Sequence, residues 1–242
     1  MAAQDAQRGM DRASGPTAVT TGRDDAHDNA GANAGFDARP LIALLGLGGF
    51  AVLTGIVASR TALPFDQQLL DAAKGLSQYM PEWRGLSDSA NVPLIAVGTA
   101  IVVWLLWTKQ RSEALLAVVA LASVTAGSEV VKLVIARPRP PGFNNTYLGA
   151  VYSFPSGHVL EAVTIYGIIA VLVWHSSLPK VVRVAVPIIF TAIVVLVAIA
   201  RVAVGEHYPS DVLAGLLAGI GFVALFSWFT DLLAKRSTAR SR

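Results

Sequence analysis

Six stretches without a charged side chain recur along this 242-residue chain: 40–59, 89–108, 114–128, 162–179, 184–200 and 212–230. A helix needs about 20 mostly apolar residues to cross the hydrocarbon core of a bilayer, with a range of roughly 17–25. Four stretches meet that length almost as they stand. The third meets it when extended through Glu129 and Lys132 to Ala136, and the fifth is closed by Arg201. Hydrophobic residues make up 54% of the chain and charged residues 14%, which fits a lipid-embedded domain. The fold expected is all-α: an integral membrane bundle of six transmembrane helices over 40–234, with short helices in the external loops.

Residues 1–39 are rich in Ala, Gly, Asp and Arg and show no apolar periodicity. Such a segment buries too little surface to offset its ordering entropy, so it reads as a disordered cytoplasmic tail. No apolar run precedes Leu41, so it does not read as a signal peptide, and the first helix is expected to be retained. Residues 235–242 read as a basic cytoplasmic tail. The chain has no cysteine, which excludes disulfides, thiolate catalysis and Cys-based metal sites. A net charge of +3 gives no basis for binding nucleic acid.

Six helices place both termini on one side. Lys235, Arg236, Arg240 and Arg242 lie there, with Lys109 and Arg111 of the second loop and Lys180 and Arg183 of the fourth. The long first loop carries Arg60, Lys74 and Arg84 against Asp66, Asp71, Glu82 and Asp88. Cytoplasmic loops carry the excess of Lys and Arg, so the termini are read as cytoplasmic in a multi-pass plasma-membrane protein. Trp104, Trp107, Trp174 and Trp228 fall at the same inner interface, a depth that indole rings favour.

Three short polar motifs interrupt this apolar pattern, and alternating topology carries all three to the external face. The first is Lys132 with Arg139-Pro140. Lys132 lies inside the end of the third helix, where a cation usually has an electrostatic task; the plainer alternative is a snorkelling lysine paired with Glu129. Arginine forks suit phosphate oxygens. Arg137-Pro138-Arg139-Pro140-Pro141 is a rigid basic turn, and the plainer reading, a loop-tip charge near lipid headgroups, suits Arg137 better than Arg139. The second motif is Pro155-Ser156-Gly157-His158. Ser156 is a good N-cap, Gly157 permits close backbone approach, and the first-turn N–H groups favour an anion. The third is Arg201, His207 and Asp211, in which Asp211 would orient and stabilise the His207 imidazole and Arg201 would join the phosphate clamp. Three cations, two histidines and a carboxylate are the parts phosphoryl transfer through a histidine requires. A metal site built on His158, His207 and Asp211 is the competing use. Lys132, Arg139 and Arg201 would repel a divalent cation, and no H-E-x-x-H or comparable spacing occurs, so the expectation is no metal and no cofactor.

With these motifs the chain resembles the type 2 phosphatidic acid phosphatase superfamily, whose pattern is K-x6-R-P, then P-S-G-H, then S-R-x5-H-x3-D. Lys132 to Pro140, Pro155 to His158, and Arg201-x5-His207-x3-Asp211 match it in order. The resemblance implies that His207 is a nucleophile forming a phosphohistidine. It makes His158 the general acid and Asp211 the support of His207. Lys132, Arg139, Ser156, Gly157 and Arg201 would bind phosphate, with no metal. The family serine before the third-motif arginine is Ala200 here. That removes one hydroxyl and no charged group.

The function expected is a membrane lipid phosphatase acting on a lipid phosphomonoester or diphosphate of the outer leaflet. By family analogy the best-placed substrate is a polyprenyl diphosphate, as in recycling of a cell-wall lipid carrier. A phosphotransferase using the same phosphohistidine, or a non-enzymatic small transporter, is the alternative. Phe65, Leu69, Ala72, Ala73 and Leu76 recur at helical spacing, which predicts an interfacial helix beside the site over 65–76; a surface loop packed on the first helix is the plainer option. Gly215 and Gly219 read as a close-packing pair, not a dimer contact. Glu161, one turn beyond His158, either tunes that histidine or faces a polar cavity.

Overall fold

The computed structural model describes residues 36–61, 63–77, 91–142 and 151–240. The tail read as disordered lies almost wholly outside them, as do Glu82, Arg84 and Asp88 of the first loop. Among the described residues the chain forms seven helices: α1 Arg39–Ala58, α2 Pro64–Ser77, α3 Asn91–Trp107, α4 Arg111–Ile135, α5 Gly157–Trp174, α6 Lys180–Ala203 and α7 Pro209–Arg240. Five of them, α1, α4, α5, α6 and α7, are long and apolar enough to cross a membrane. The apolar part of α3, Leu94–Trp107, is shorter. Helix α7 runs on through Lys235 and Arg236, so the expected basic tail is helical as far as Arg240.

Local chemistry sets the helix ends at the site. Ala136 turns into the left-handed region at φ 48° and its N–H closes on the Lys132 carbonyl at 2.9 Å. Pro138 then disfavours a return to helical geometry before it. Gly205, at φ +74°, makes the corresponding turn after α6, where a side chain would be strained.

Helix α7 is the hub, flanked by α1 and α5 and also touching α2, α4 and α6. Glycines allow the close approach. On the α1 side, a Cβ at Gly46 would stand 2.7 Å from the Leu217 carbonyl oxygen. On the α5 side, a Cβ at Gly215 would stand 2.8 Å from the Ser156 carbonyl oxygen, and one at Gly219 would stand 2.6 Å from Val163. Gly215 and Gly219 therefore pack helices within one chain. Backbone atoms cannot swing aside as a side-chain tip can. Gly215→Ala should therefore cost about 1–3 kcal/mol by overpacking and displace the turn that carries His158. Gly48→Ala in α1 meets nothing within 4 Å and serves as control. Thermal midpoints and turnover in detergent check this; a Gly215→Ala protein as stable and active as the control variant would refute it.

Helix α2 confirms the helical reading of 65–76 but turns a different face inward. Leu70 and Asp66 are 0% and 4% exposed, whereas Leu69 is 52% exposed. Leu70 and Ala73 pack into a cluster with Val159, Val197, Ala198, Val202 and Val212, so α2 rests on α6 and α7, not on α1. Asp66 shares that buried face, and its carboxylate meets partners described below.

Candidate active site

The loops that carry the three motifs are stitched together by main-chain hydrogen bonds at one end of the bundle. Ser153 N–H donates to the Arg137 carbonyl at 2.9 Å, and Pro138 and Tyr152 form an antiparallel bridge. Ser156 N–H donates to the Asp211 carbonyl at 3.0 Å, which locks the start of α5 to the first turn of α7. Helix α2 straps across from the side: Lys74 Nζ donates to the Pro141 carbonyl at 3.3 Å and its stem lies beside Gly205.

Arg137 is not a loop-tip charge. Its guanidinium donates to Asp66 Oδ2 at 2.7 Å, to Asp211 Oδ1 at 2.5 Å and to Ser210 Oγ at 2.7 Å, and it stacks 4.0 Å from the centre of the Tyr208 ring. Asp66 in turn accepts from Ser210 N–H at 2.8 Å and Ser210 Oγ–H at 2.7 Å. Burial alone would lower the Arg137 guanidinium, but Asp211 and Asp66 more than offset it and hold the group above the ordinary arginine value. Asp66, Arg137, Ser210 and Asp211 thus form one buried polar network joining α2, the loop after α4 and the start of α7. Breaking such a pair by removing one partner costs about 3–5 kcal/mol. Asp66 was hidden in the sequence, since a single acid in an amphipathic helix reads as a solvated one.

His207 sits in the loop between α6 and α7 and is 2% exposed. Its Nδ1 is 2.8 Å from the Ser153 carbonyl oxygen. A carbonyl can only accept, so Nδ1 carries the proton and Nε2 keeps its lone pair. Asp211, expected to orient this ring, stands 3.7 Å from Nδ1, beyond hydrogen-bond range. Its own Oδ2 caps the turn by accepting from Tyr208 N–H at 2.8 Å. Burial pushes the His207 imidazole below the ordinary histidine value, against the pull of Asp211, so the ring is neutral at neutral pH.

Of the three cations expected to bind phosphate, Arg139 and Arg201 lie within electrostatic reach of His207, and all three lie within reach of His158. Arg201, 2% exposed at the end of α6, pairs through Nη1 with the Glu206 carboxylate. Arg139 Nη1 donates to the backbone carbonyl of the same Glu206 at 2.8 Å. Lys132 Nζ meets Glu129 Oε1 at 2.6 Å, the i,i+3 pair the spacing allows. A Cβ on Gly157 would stand 3.3 Å from Lys132 Nζ, so the missing side chain lets the first motif reach the second. Ser156 occupies the N-cap position of α5 without making a side-chain cap bond. Among the described residues its Oγ is buried without a hydrogen-bond partner, as is His158 Nε2. Ala200 is fully buried in α6.

Glu161 accepts from Thr125 Oγ1 at 3.1 Å, which ties α5 to α4. Both line an apolar groove of about 470 Å³ between α3, α4 and α5, with Leu94, Gly98, Leu121 and Ile165. Thr99, Thr125 and Glu161 are the polar part of an otherwise apolar lining, and Lys132, Glu129 and Arg201 lie within electrostatic reach of Glu161.

A helical membrane bundle with histidines and arginines gathered at one end is the class these features define. The sequence profile of the PAP2 superfamily matches residues 113–234, and the chain belongs to that superfamily. The matched region runs from α4 to α7 and contains all three motifs. Phosphatidylglycerophosphatase B of Bacillus subtilis (strain 168) is 36% identical over 109 residues, which are 45% of this chain and 53% of that protein. The chain thus matches about half the length of that relative. The fold is similar to the crystal structure of a transmembrane PAP2-type phosphatidylglycerolphosphate phosphatase from Bacillus subtilis. The TM-score is 0.64 at 23% identity, covering 78% of this chain and 96% of the other. It is also similar to Aquifex aeolicus LpxE, at a TM-score of 0.50 and 17% identity over 68% and 96% of the two chains.

Proposed function

We propose that this protein is a membrane lipid phosphatase that removes a terminal phosphate through a phosphohistidine on His207. One observation carries the reading: His207 donates through Nδ1 to a backbone carbonyl, which leaves Nε2 as a nucleophile within reach of Arg139 and Arg201. In the first step Nε2 attacks phosphorus, the P–O bond to the lipid breaks, and His158 gives its proton to the departing oxygen. In the second, water attacks phosphorus, the P–N bond breaks with its electron pair returning to His207 Nε2, His158 takes the water's proton, and inorganic phosphate leaves. Lys132, Arg139 and Arg201 stabilise the charge on the transferring oxygens. The unpartnered Ser156 Oγ and His158 Nε2 gain partners from the phosphate and the leaving oxygen. Asp211, close to His207 without bonding it, stabilises the imidazolium that forms and anchors the loop through Arg137.

In this reading α3 is the sixth span, reaching across by a local thinning of the bilayer. The termini are cytoplasmic and the site faces outward, which the placement of Lys109, Arg111, Lys180, Arg183, Lys235 and Arg236 at the far ends of the helices supports. The substrate is then an outer-leaflet lipid, its chain in the groove beside Glu161. The name of the Bacillus subtilis relative supports phosphatidylglycerophosphate as one candidate, and polyprenyl diphosphate is the other.

Phosphate release from these two lipids, phosphatidic acid and a water-soluble ester tests the reading. The long-chain lipids should exceed the soluble ester in kcat/KM by about 100-fold or more, because remote binding energy positions the phosphate. Activity should persist in excess EDTA. Equal kcat/KM for soluble and lipid substrates would sink the lateral-entry reading, and loss of activity restored by Mg2+ or Zn2+ would sink the metal-free one.

A further inference from the structure

The Arg201–Glu206 pair joins the end of α6 to the residue before His207. It lies in the middle of the phosphate clamp. Arg201 closes α6, Glu206 directly precedes His207, and the two are 2% and 8% exposed. The Glu206 carboxylate sits on Arg201 Nη1, and its own main-chain carbonyl takes Arg139 Nη1 at 2.8 Å. One residue thus engages both arginines of the clamp. A carboxylate and a phosphate make the same kind of contact with a guanidinium edge, so the two compete for it.

We infer that Glu206 is a specificity-determining residue: its carboxylate guards Arg201, and only a phosphate carrying two negative charges displaces it. The inference rests on the assignment of Arg201 to a phosphate clamp. A site at a membrane surface is bathed in phosphodiester headgroups, each with one phosphate charge. Three unguarded cations would hold such diesters unproductively. Against a resident carboxylate of equal charge, a diester gains little by exchange. A terminal phosphomonoester or diphosphate brings more charge and a third free oxygen, and so wins the guanidinium. The displaced Glu206 carboxylate stays covalently next to His207 and returns to Arg201 when inorganic phosphate departs, which also favours product release. No covalent chemistry is assigned to it.

The test uses the full chain in mixed micelles. Phosphate release from a short-chain phosphatidic acid is measured with increasing phosphatidylglycerol, a diester, and separately with orthovanadate. The wild type should be nearly indifferent to the diester. Glu206→Gln keeps the shape and removes the charge; its diester inhibition constant should fall about tenfold or more, which at a factor of ten per 1.4 kcal/mol is about 1.4 kcal/mol. Its vanadate inhibition constant should fall as well. Glu206→Asp should restore diester resistance. A merely structural role would lower kcat and thermal midpoint without changing the ratio of the two inhibition constants to KM. A Gln variant that folds, turns over and resists the diester as well as wild type overturns the inference while leaving the phosphatase reading intact. If Arg201→Ala keeps full turnover and vanadate sensitivity, the clamp assignment falls and this inference falls with it.

Discussion

Replacing His207 by Ala should lower kcat/KM for a lipid phosphate by about four to six orders of magnitude, because nucleophile and clamp act as a unit. The variant leaves the buried Ser153 carbonyl without its His207 side-chain donor, so the thermal midpoint should fall while the protein still folds. Brief reaction with a phosphate-labelled lipid, followed by quenching in alkali, should trap label on the wild type and none on the variant. Phosphohistidine survives alkali and is lost in acid. Undiminished turnover in His207→Ala would remove the residue from the mechanism. The pH dependence follows the same logic. A histidine whose folded pKa lies below its unfolded value of about 6.5 leaves the unfolded chain to take up the proton first. Stability should therefore fall as pH drops through 6.5 toward the lower folded value. The nucleophile itself stays neutral over that window, so the acid limb of kcat/KM should lie below the ordinary histidine range.

His158→Ala should show a different signature. General acid catalysis contributes about 100- to 10,000-fold when the leaving group is poor. An alkoxide from a glycerolipid is such a group, and p-nitrophenolate is not. The variant should therefore lose about that factor on phosphatidylglycerophosphate and less than about tenfold on p-nitrophenyl phosphate. The rate of the variant should depend steeply on leaving-group pKa, and that of the wild type weakly. Equal losses on both esters would make His158 a binding group instead of an acid. The side chain is available to the departing oxygen: its Nε2 is buried without a hydrogen-bond partner among the described residues.

The helices themselves were legible in the chain. Charge-free runs of membrane length mark α1, α3, α5 and α7 directly, α6 is closed by Arg201, and α4 reaches that length only when extended through Glu129 and Lys132; an uncompensated charge in hydrocarbon is costly and every backbone group must be paired internally. Counting those runs was enough to bring Lys132, Arg139, His158, Arg201, His207 and Asp211 to one end, since antiparallel neighbours place alternate helix termini together. The third helix is the marginal one, its apolar part being Leu94–Trp107.

What the sequence by itself determined was therefore the helical class, the gathering of the motifs and the residue types available for chemistry. Only the tertiary structure decided the partners. Asp66 reaches Arg137 across 71 positions, a pairing that no local spacing encodes. That pair shares the buried face of α2 with Leu70 and Ala73, whereas Leu69 of the apolar stripe is exposed. The acceptor for His207 is a backbone carbonyl, which every residue has and no motif can mark. Glu206 was a spacer within R-x5-H until its side chain was seen on Arg201. Apolar periodicity is written along the chain because burial acts on each residue singly. Charge pairing depends on distances between segments, and those exist only once the helices have packed.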